Sequence, residues 1–120
     1  MVTWFEIPTA DIERAKAFYE EVLQITIGLH DINGLKMAWF PEASEKGVAS
    51  GSLIQQESYI PSKEGVLVYL SCSDINAVLD RVEKAGGSVY QPRTMISEEY
   101  GFMGVFIDSE GNRIALHSNH

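Results

Sequence analysis

The side chains able to do chemistry in this chain of 120 residues are few: one cysteine, three histidines, and 17 Asp+Glu against 9 Lys+Arg, for a net charge of −8. Cys72 is single and can form no internal disulfide, and neither it nor His30, His117 and His120 falls in a zinc-ligand spacing. No histidine or helix N-terminus is evident beside Cys72 to lower its pKa, so it reads as a buried packing residue rather than a nucleophile. His30 and His120 read as surface or terminal residues. The chain has no G-x-S-x-G elbow, no G-x-x-x-x-G-K-[ST] phosphate loop, no G-x-G-x-x-G after a strand and no H-E-x-x-H. Serine hydrolase, nucleotide enzyme and zinc protease are therefore disfavoured. A pI near 4.7 means repulsion from phosphate backbones and anionic lipid, so neither nucleic acid nor membrane is expected as a partner. The segment Met1–Glu6 carries no basic stretch and no long apolar core. Neither a signal peptide nor a transmembrane span is expected, and a cytoplasmic location is the plain reading.

The elements that must position these residues show in an internal repeat. A hydrophobic fraction of 45% with 22% charged residues suits one globular domain with a core of its own. Trp4-Phe5-Glu6-Ile7-Pro8-Thr9-Ala10-Asp11-Ile12-Glu13, running on through Phe18-Tyr19 to Leu23, resembles Leu67-Val68-Tyr69-Leu70-Ser71-Cys72-Ser73-Asp74-Ile75-Asn76, running on to Gly86-Gly87. The two Asp-Ile pairs lie about half the chain apart, which implies two copies of one unit. One module covers about 1–56 and the other about 66–120, joined by a connection at 57–65 that contains Pro61. Each Asp-Ile opens a helical stripe: Ile12, Ala15, Phe18, Val22 and Leu23 in the first, Ile75, Val78, Leu79, Val82 and Ala85 in the second. Asp11 and Asp74 are the expected N-caps, Gly86-Gly87 the second stop, and Gln24 marks the end of the first helix. A strand precedes each helix. Three follow it: Thr26–His30, Leu35–Phe40 and Val48–Gln55 in one module, Ser88–Gln91, Phe102–Asp108 and Asn112–His117 in the other, the last two joined by a type I turn at Asp108–Gly111. The unit is βαβββ, twice.

A doubled βαβββ unit with Asp-Ile helix openings, Phe18-Tyr19 on the first helix and Asp108-Ser109-Glu110-Gly111-Asn112-Arg113-Ile114 before the last strand resembles the vicinal oxygen chelate superfamily. That group includes glyoxalase, bleomycin-resistance proteins and extradiol dioxygenases. The likeness covers nearly the whole chain and is nearest to the small bacterial glyoxalase-related proteins. It implies an α+β fold whose two modules form an eight-stranded, cup-shaped sheet, with helices on the convex side and ligand in the concave side. A homodimer is expected, and the connecting loop could exchange one module between chains.

Strand alternation then sorts side chains between the faces of this implied sheet. Phe5 and Ile7, Val68, Leu70 and Cys72, and Ile114 and Leu116 go to the helix side. Trp4 and Glu6, Leu67, Tyr69 and Ser71, and Arg113, Ala115 and His117 face inward. Trp39, Phe106, Met37 and Met103 join the inward set, either as walls of a pocket for a flat or aliphatic ligand or as a second core. Tyr100 either closes over the mouth or forms a solvated loop tip.

Metal-using members of the resembling superfamily take one His or Glu from each of the first, fourth, fifth and eighth strands. The resemblance puts these positions at Trp4, near Ala49 to Gly51, at Leu67 and at Ala115, none of which can ligate a metal. No metal and no other cofactor is expected. Glu6 and His117, each two residues beyond a vacated position, are the candidate catalytic and ligand-binding pair. They would act as polar anchors, as an acid/base couple or as a displaced two-ligand metal site, unless Glu6 simply pairs with Arg113 or His117 to neutralise its charge. The expected function is metal-independent binding of a small, partly apolar molecule, with Trp4, Trp39, Tyr69 and Phe106 as walls and a cationic guest favoured by the acidic balance. Two enzymes are the alternatives. One is a lactoylglutathione lyase-related or dioxygenase-like protein using Ni, Zn, Mn or Fe on vicinal oxygens; the other is a metal-free isomerase or lyase in which Glu6 or His117 moves a proton.

Overall fold

Two aspartates start the helices. Asp11 and Asp74 hold extended backbone, and their carboxylates accept from Arg14 N and Ala77 N, each at 3.1 Å, so α1 (Ile12–Leu23) and α2 (Ile75–Ala85) begin with an orphan N–H satisfied. The ends differ. Gly86 stops α2 in left-handed backbone at φ 111, whereas α1 stops on Gln24, a non-glycine at φ 56.

The computed structural model describes residues 1–42 and 50–120, which fall into two units, 1–61 and 62–120. The first unit holds β1 (Trp4–Pro8), α1, β2 (Gly28–Ile32), β3 (Leu35–Trp39) and β4 (Ser50–Gln55), in the sheet order β1-β4-β3-β2. The second holds β5 (Tyr69–Ser71), α2, β6 (Ser88–Ser97), β7 (Gly101–Ile107) and β8 (Arg113–Ser118), in the order β5-β8-β7-β6. Both are four-stranded mixed sheets with a parallel first pair, β1–β4 and β5–β8, and antiparallel pairs elsewhere. The class is α+β and the unit is βαβββ in both halves, as the repeat implies. Val48 and Ala49, the expected start of the fourth strand, lie outside the described residues. No helix among the described residues is long and apolar enough to cross a membrane.

Several strand ends differ from the sequence expectation, each for a local reason. Ile27 is buried, and its N–H donates to Glu20 Oε2 at 2.9 Å, which ties residues 26 and 27 to α1 and delays β2 to Gly28. At the other end β2 runs to Ile32, because Asn33 and Gly34 take positive φ (55° and 87°) and close a two-residue hairpin into β3. β6 continues through Pro92 to Ser97; it is an edge strand, where a residue lacking an N–H is tolerated.

Each helix covers one face of its own sheet. Ile12, Ala15, Phe18, Tyr19 and Val22 are the buried stripe of α1, with Tyr19 in place of the expected Leu23. Tyr19 meets Phe40 edge-on, and Phe40 in turn packs on Phe5, at centroid distances of 5.6 Å. In the second unit Ile75, Val78, Leu79 and Val82 are buried beneath α2. Gly104 lies directly under them: a Cβ there would come within 2.9 Å of Ile75 Cγ2 and 3.3 Å of Leu79 Cδ1.

Candidate functional site

Strand register fixes which side chains share the face opposite α1. Glu6 on β1, Ser52 on β4 and Trp39 on β3 stand in one row across the sheet, with Trp4 and Ser50 in the row beside it. Trp4 and Trp39 meet edge-to-face, centroids 5.9 Å apart and planes at 81°, and both indoles stay open to solvent at 41% and 37% exposure. His30 stacks on Trp39, with ring centroids 4.0 Å apart and planes at 28°. It can do so because Gly28 stands opposite Trp39 in the hairpin and leaves room for the imidazole, whose Nε2 would sit 3.5 Å from a Cβ there. His30 is thus part of the aromatic face, where its type alone suggested a surface residue. The signal for it was the Asn33-Gly34 hairpin, which sets His30 opposite Met37 and beside Trp39. Met37 shares this face but is buried, as is Ser52, whose Oγ has no hydrogen-bond partner among the described residues. Glu6 is exposed.

In the second unit the face opposite α2 carries Tyr69 on β5, Arg113, Ala115 and His117 on β8, and Met103 on β7. Tyr69 is exposed and Ala115 fully buried. Phe106 is a correction. It stands opposite Ile114 in the β7–β8 register and is 0% exposed, so it belongs to the core beneath α2 and is no wall of an open face. His117 Nε2–H donates to the Tyr100 carbonyl at 2.7 Å, and the Tyr100 N–H is held by Ser97 Oγ at 2.9 Å. The Tyr100 side chain itself is exposed. In this arrangement His117 presents Nδ1 as its remaining polar atom. Glu6 and His117 lie in different units.

Cys72 is half-buried rather than buried. It stands two residues before Asp74, the N-cap of α2. Burial nevertheless pushes its thiol pKa up, outweighing an Asp74 backbone hydrogen bond that favours the thiolate, and the Asp74 charge adds to the rise.

The four positions that the resemblance assigns to metal ligands offer no donor set. Trp4 opens β1, Leu67 precedes β5 and Ala115 is enclosed on β8. On β4 the position falls at Ser50 or Gly51, while Ala49 lies outside the described residues. Among the described residues no three His, Cys, Asp or Glu side chains group as a metal-holding set. The residues at these positions do not fit a divalent ion.

This architecture can be set beside known proteins. Residues 1–27 match the family described as bleomycin resistance protein-like, N-terminal. A domain described as glyoxylase/bleomycin resistance protein/dioxygenase from Frankia sp. EAN1pec is similar at TM-score 0.75 and 15% identity, over 100% of this chain and 98% of that one. A glyoxalase I mutant from Zea mays is similar at TM-score 0.72 and 18% identity, over 98% of this chain and 46% of that one. A glyoxalase-related enzyme from Fulvimarina pelagi gives TM-score 0.72 and 13% identity, over 99% and 88% of the two chains. The chain spans about half the length of the Zea mays protein it matches. No curated protein matches it in sequence. The chain has the fold of these glyoxalase-related structures.

Proposed function

We propose that this chain is a binding protein for a small, partly apolar, cationic molecule, and that it works without the metal of its fold relatives. The observation that carries this reading is the aromatic face of the first unit. Two indoles set at right angles, both more than a third exposed, with an imidazole stacked on one of them, form an angled, open aromatic surface that a core would have enclosed. A cation over an indole face is attracted by the ring quadrupole, by about 0.5–2 kcal/mol depending on desolvation. Glu6, in the row of Trp39, puts a carboxylate beside that surface.

Trp4 and Trp39 are the two tryptophans of the chain, so intrinsic indole fluorescence reports on this face alone. Titration with bleomycin, with N-methylquinolinium and with uncharged quinoline at neutral pH tests the proposal. Saturable quenching by a cationic probe is expected, weakened about tenfold by Glu6→Gln and removed by Trp39→Leu. Quinoline should bind more weakly and ignore Glu6→Gln. Linear, collisional quenching that is the same in wild type and Glu6→Gln would sink the proposal.

A further inference from the structure

A recess lies wholly within residues 62–120, and it is built by the loop before β8. Asp108 is buried and organises that loop: its carboxylate accepts from Glu110 N at 2.8 Å, Asn112 N at 2.9 Å and Asn112 Nδ2 at 3.0 Å. The Asn112 side chain, held this way, accepts from Ser62 N through Oδ1 at 3.0 Å. Ser62 Oγ then accepts from Glu64 N at 2.9 Å. This chain of bonds pins Ser62–Glu64 beside the first residue of β8, Arg113. Across from them stands Tyr90, at an irregularity between Val89 and Gln91 where β6 carries an extra residue relative to β7, the kind of bulge that re-aims a side chain. Ser62, Lys63, Glu64, Tyr90 and Arg113 line a recess of about 440 Å³.

Two features of this recess ask for an anion. Arg113 is half-buried, and its Nε is shielded from solvent with no hydrogen-bond partner among the described residues. A guanidinium offers five donors in a planar fork that matches carboxylate and phosphate, and a buried N–H without an acceptor is costly. Lys63 places a second cation on the same recess, with the Ser62 and Tyr90 hydroxyls as further donors. Glu64 opposes an anion there, and the net charge of −8 opposes anions generally, so any binding would be local to this site. We propose that this recess binds the oxyanion head, carboxylate or phosphate, of a small molecule, with Arg113 as the forked donor and Lys63 as the second positive charge. The proposal stands on residues of the second unit and is independent of the aromatic face.

The test is a titration of the full chain followed by amide NMR, reading the backbone N–H signals of Ser62, Lys63 and Glu64, with phenyl phosphate, benzoate and inorganic phosphate as probes. Saturable shifts with phenyl phosphate or benzoate are expected, and the tighter of the two identifies the head group. Arg113→Met should abolish them, Lys63→Gln should weaken binding about tenfold and Glu64→Gln should tighten it. Lys63 and Glu64 are exposed, so their variants decide the matter even if Arg113→Met fails to fold. No saturable shift with any probe, or an affinity unchanged by Lys63→Gln and Glu64→Gln, would overturn the proposal, as would saturation by inorganic phosphate that survives Arg113→Met.

Discussion

The surroundings of Cys72 and Glu20 shift their proton affinities in opposite directions. Only the thiolate of a cysteine is nucleophilic, and burial holds the Cys72 proton in place above the ordinary thiol range. Alkylation of Cys72 by iodoacetamide, followed by mass spectrometry across pH, should therefore be slower than that of N-acetylcysteine near pH ~8.5. A rate equal to or above that of the free thiol would refute the packing role. Glu20 is shifted the other way. The Ile27 backbone N–H, at 2.9 Å, and then Lys16, at 3.0 Å, hold its carboxyl below the usual range. A folded-state pKa below the unfolded one contributes stability above the unfolded value, ~4.3, and that stability is lost as pH falls through the folded value. Glu20→Ala should cost about 1–3 kcal/mol at neutral pH by leaving the N–H of buried Ile27 without its acceptor. In urea unfolding, the gap to wild type should narrow in acid. Lys16 and Glu20 stand four apart on α1, but nothing local in the sequence announces the bond from Glu20 to Ile27. It forms only because the chain leaving α1 folds back over the helix end.

Between the two helices, the same element has been ended in two ways. Left-handed backbone costs a side-chain-bearing residue roughly 1–2 kcal/mol relative to glycine, which populates it freely. Gly86 satisfies that rule and Gln24 breaks it, with partial compensation from its side-chain amide, which donates to the Glu21 carbonyl at 2.6 Å. Gln24→Gly should thus raise stability, by up to about 1 kcal/mol, and Gly86→Ala should lower it by about 1 kcal/mol or more. Chemical denaturation of the two variants checks both signs. Helices were the readable part of the sequence because their starts and stops are local: Asp11, Asp74 and Gly86 act within one turn. Strand faces depend on register, which is set elsewhere. Phe106 was misplaced for this reason, although the turn from Asp108 to Asn112, closed by the Asp108 N–H to the Asn112 carbonyl at 2.9 Å, sets Ile107 opposite Arg113 and hence Phe106 opposite Ile114. The Arg113 recess was hidden further still, since it depends on an Asn112 bond to a residue fifty positions away.

For the molecule as a whole, the repeated sheet order makes the metal question decidable. Both units pair their first strand in parallel with their last, and the resemblance puts two ligand positions on each such pair, β1 with β4 and β5 with β8. Duplication of the unit would supply four ligands at once where the positions hold imidazole or carboxylate. Here the described positions hold an indole, a serine or glycine, an isobutyl group and a methyl group, so neither unit offers a His, Cys, Asp or Glu at them. Glu6 and His117 are the donors nearest those positions, one on each unit. Two protein ligands leave a transition-metal ion short of the three or four that hold it firmly. Purified protein loaded with Ni, Zn, Mn or Fe and then dialysed should retain far less than one equivalent by metal analysis, and the aromatic-face ligand should bind equally well with or without chelator. Retention of one equivalent, lost on Glu6→Ala or on His117→Ala, would instead give the enzyme reading precedence over the binding one.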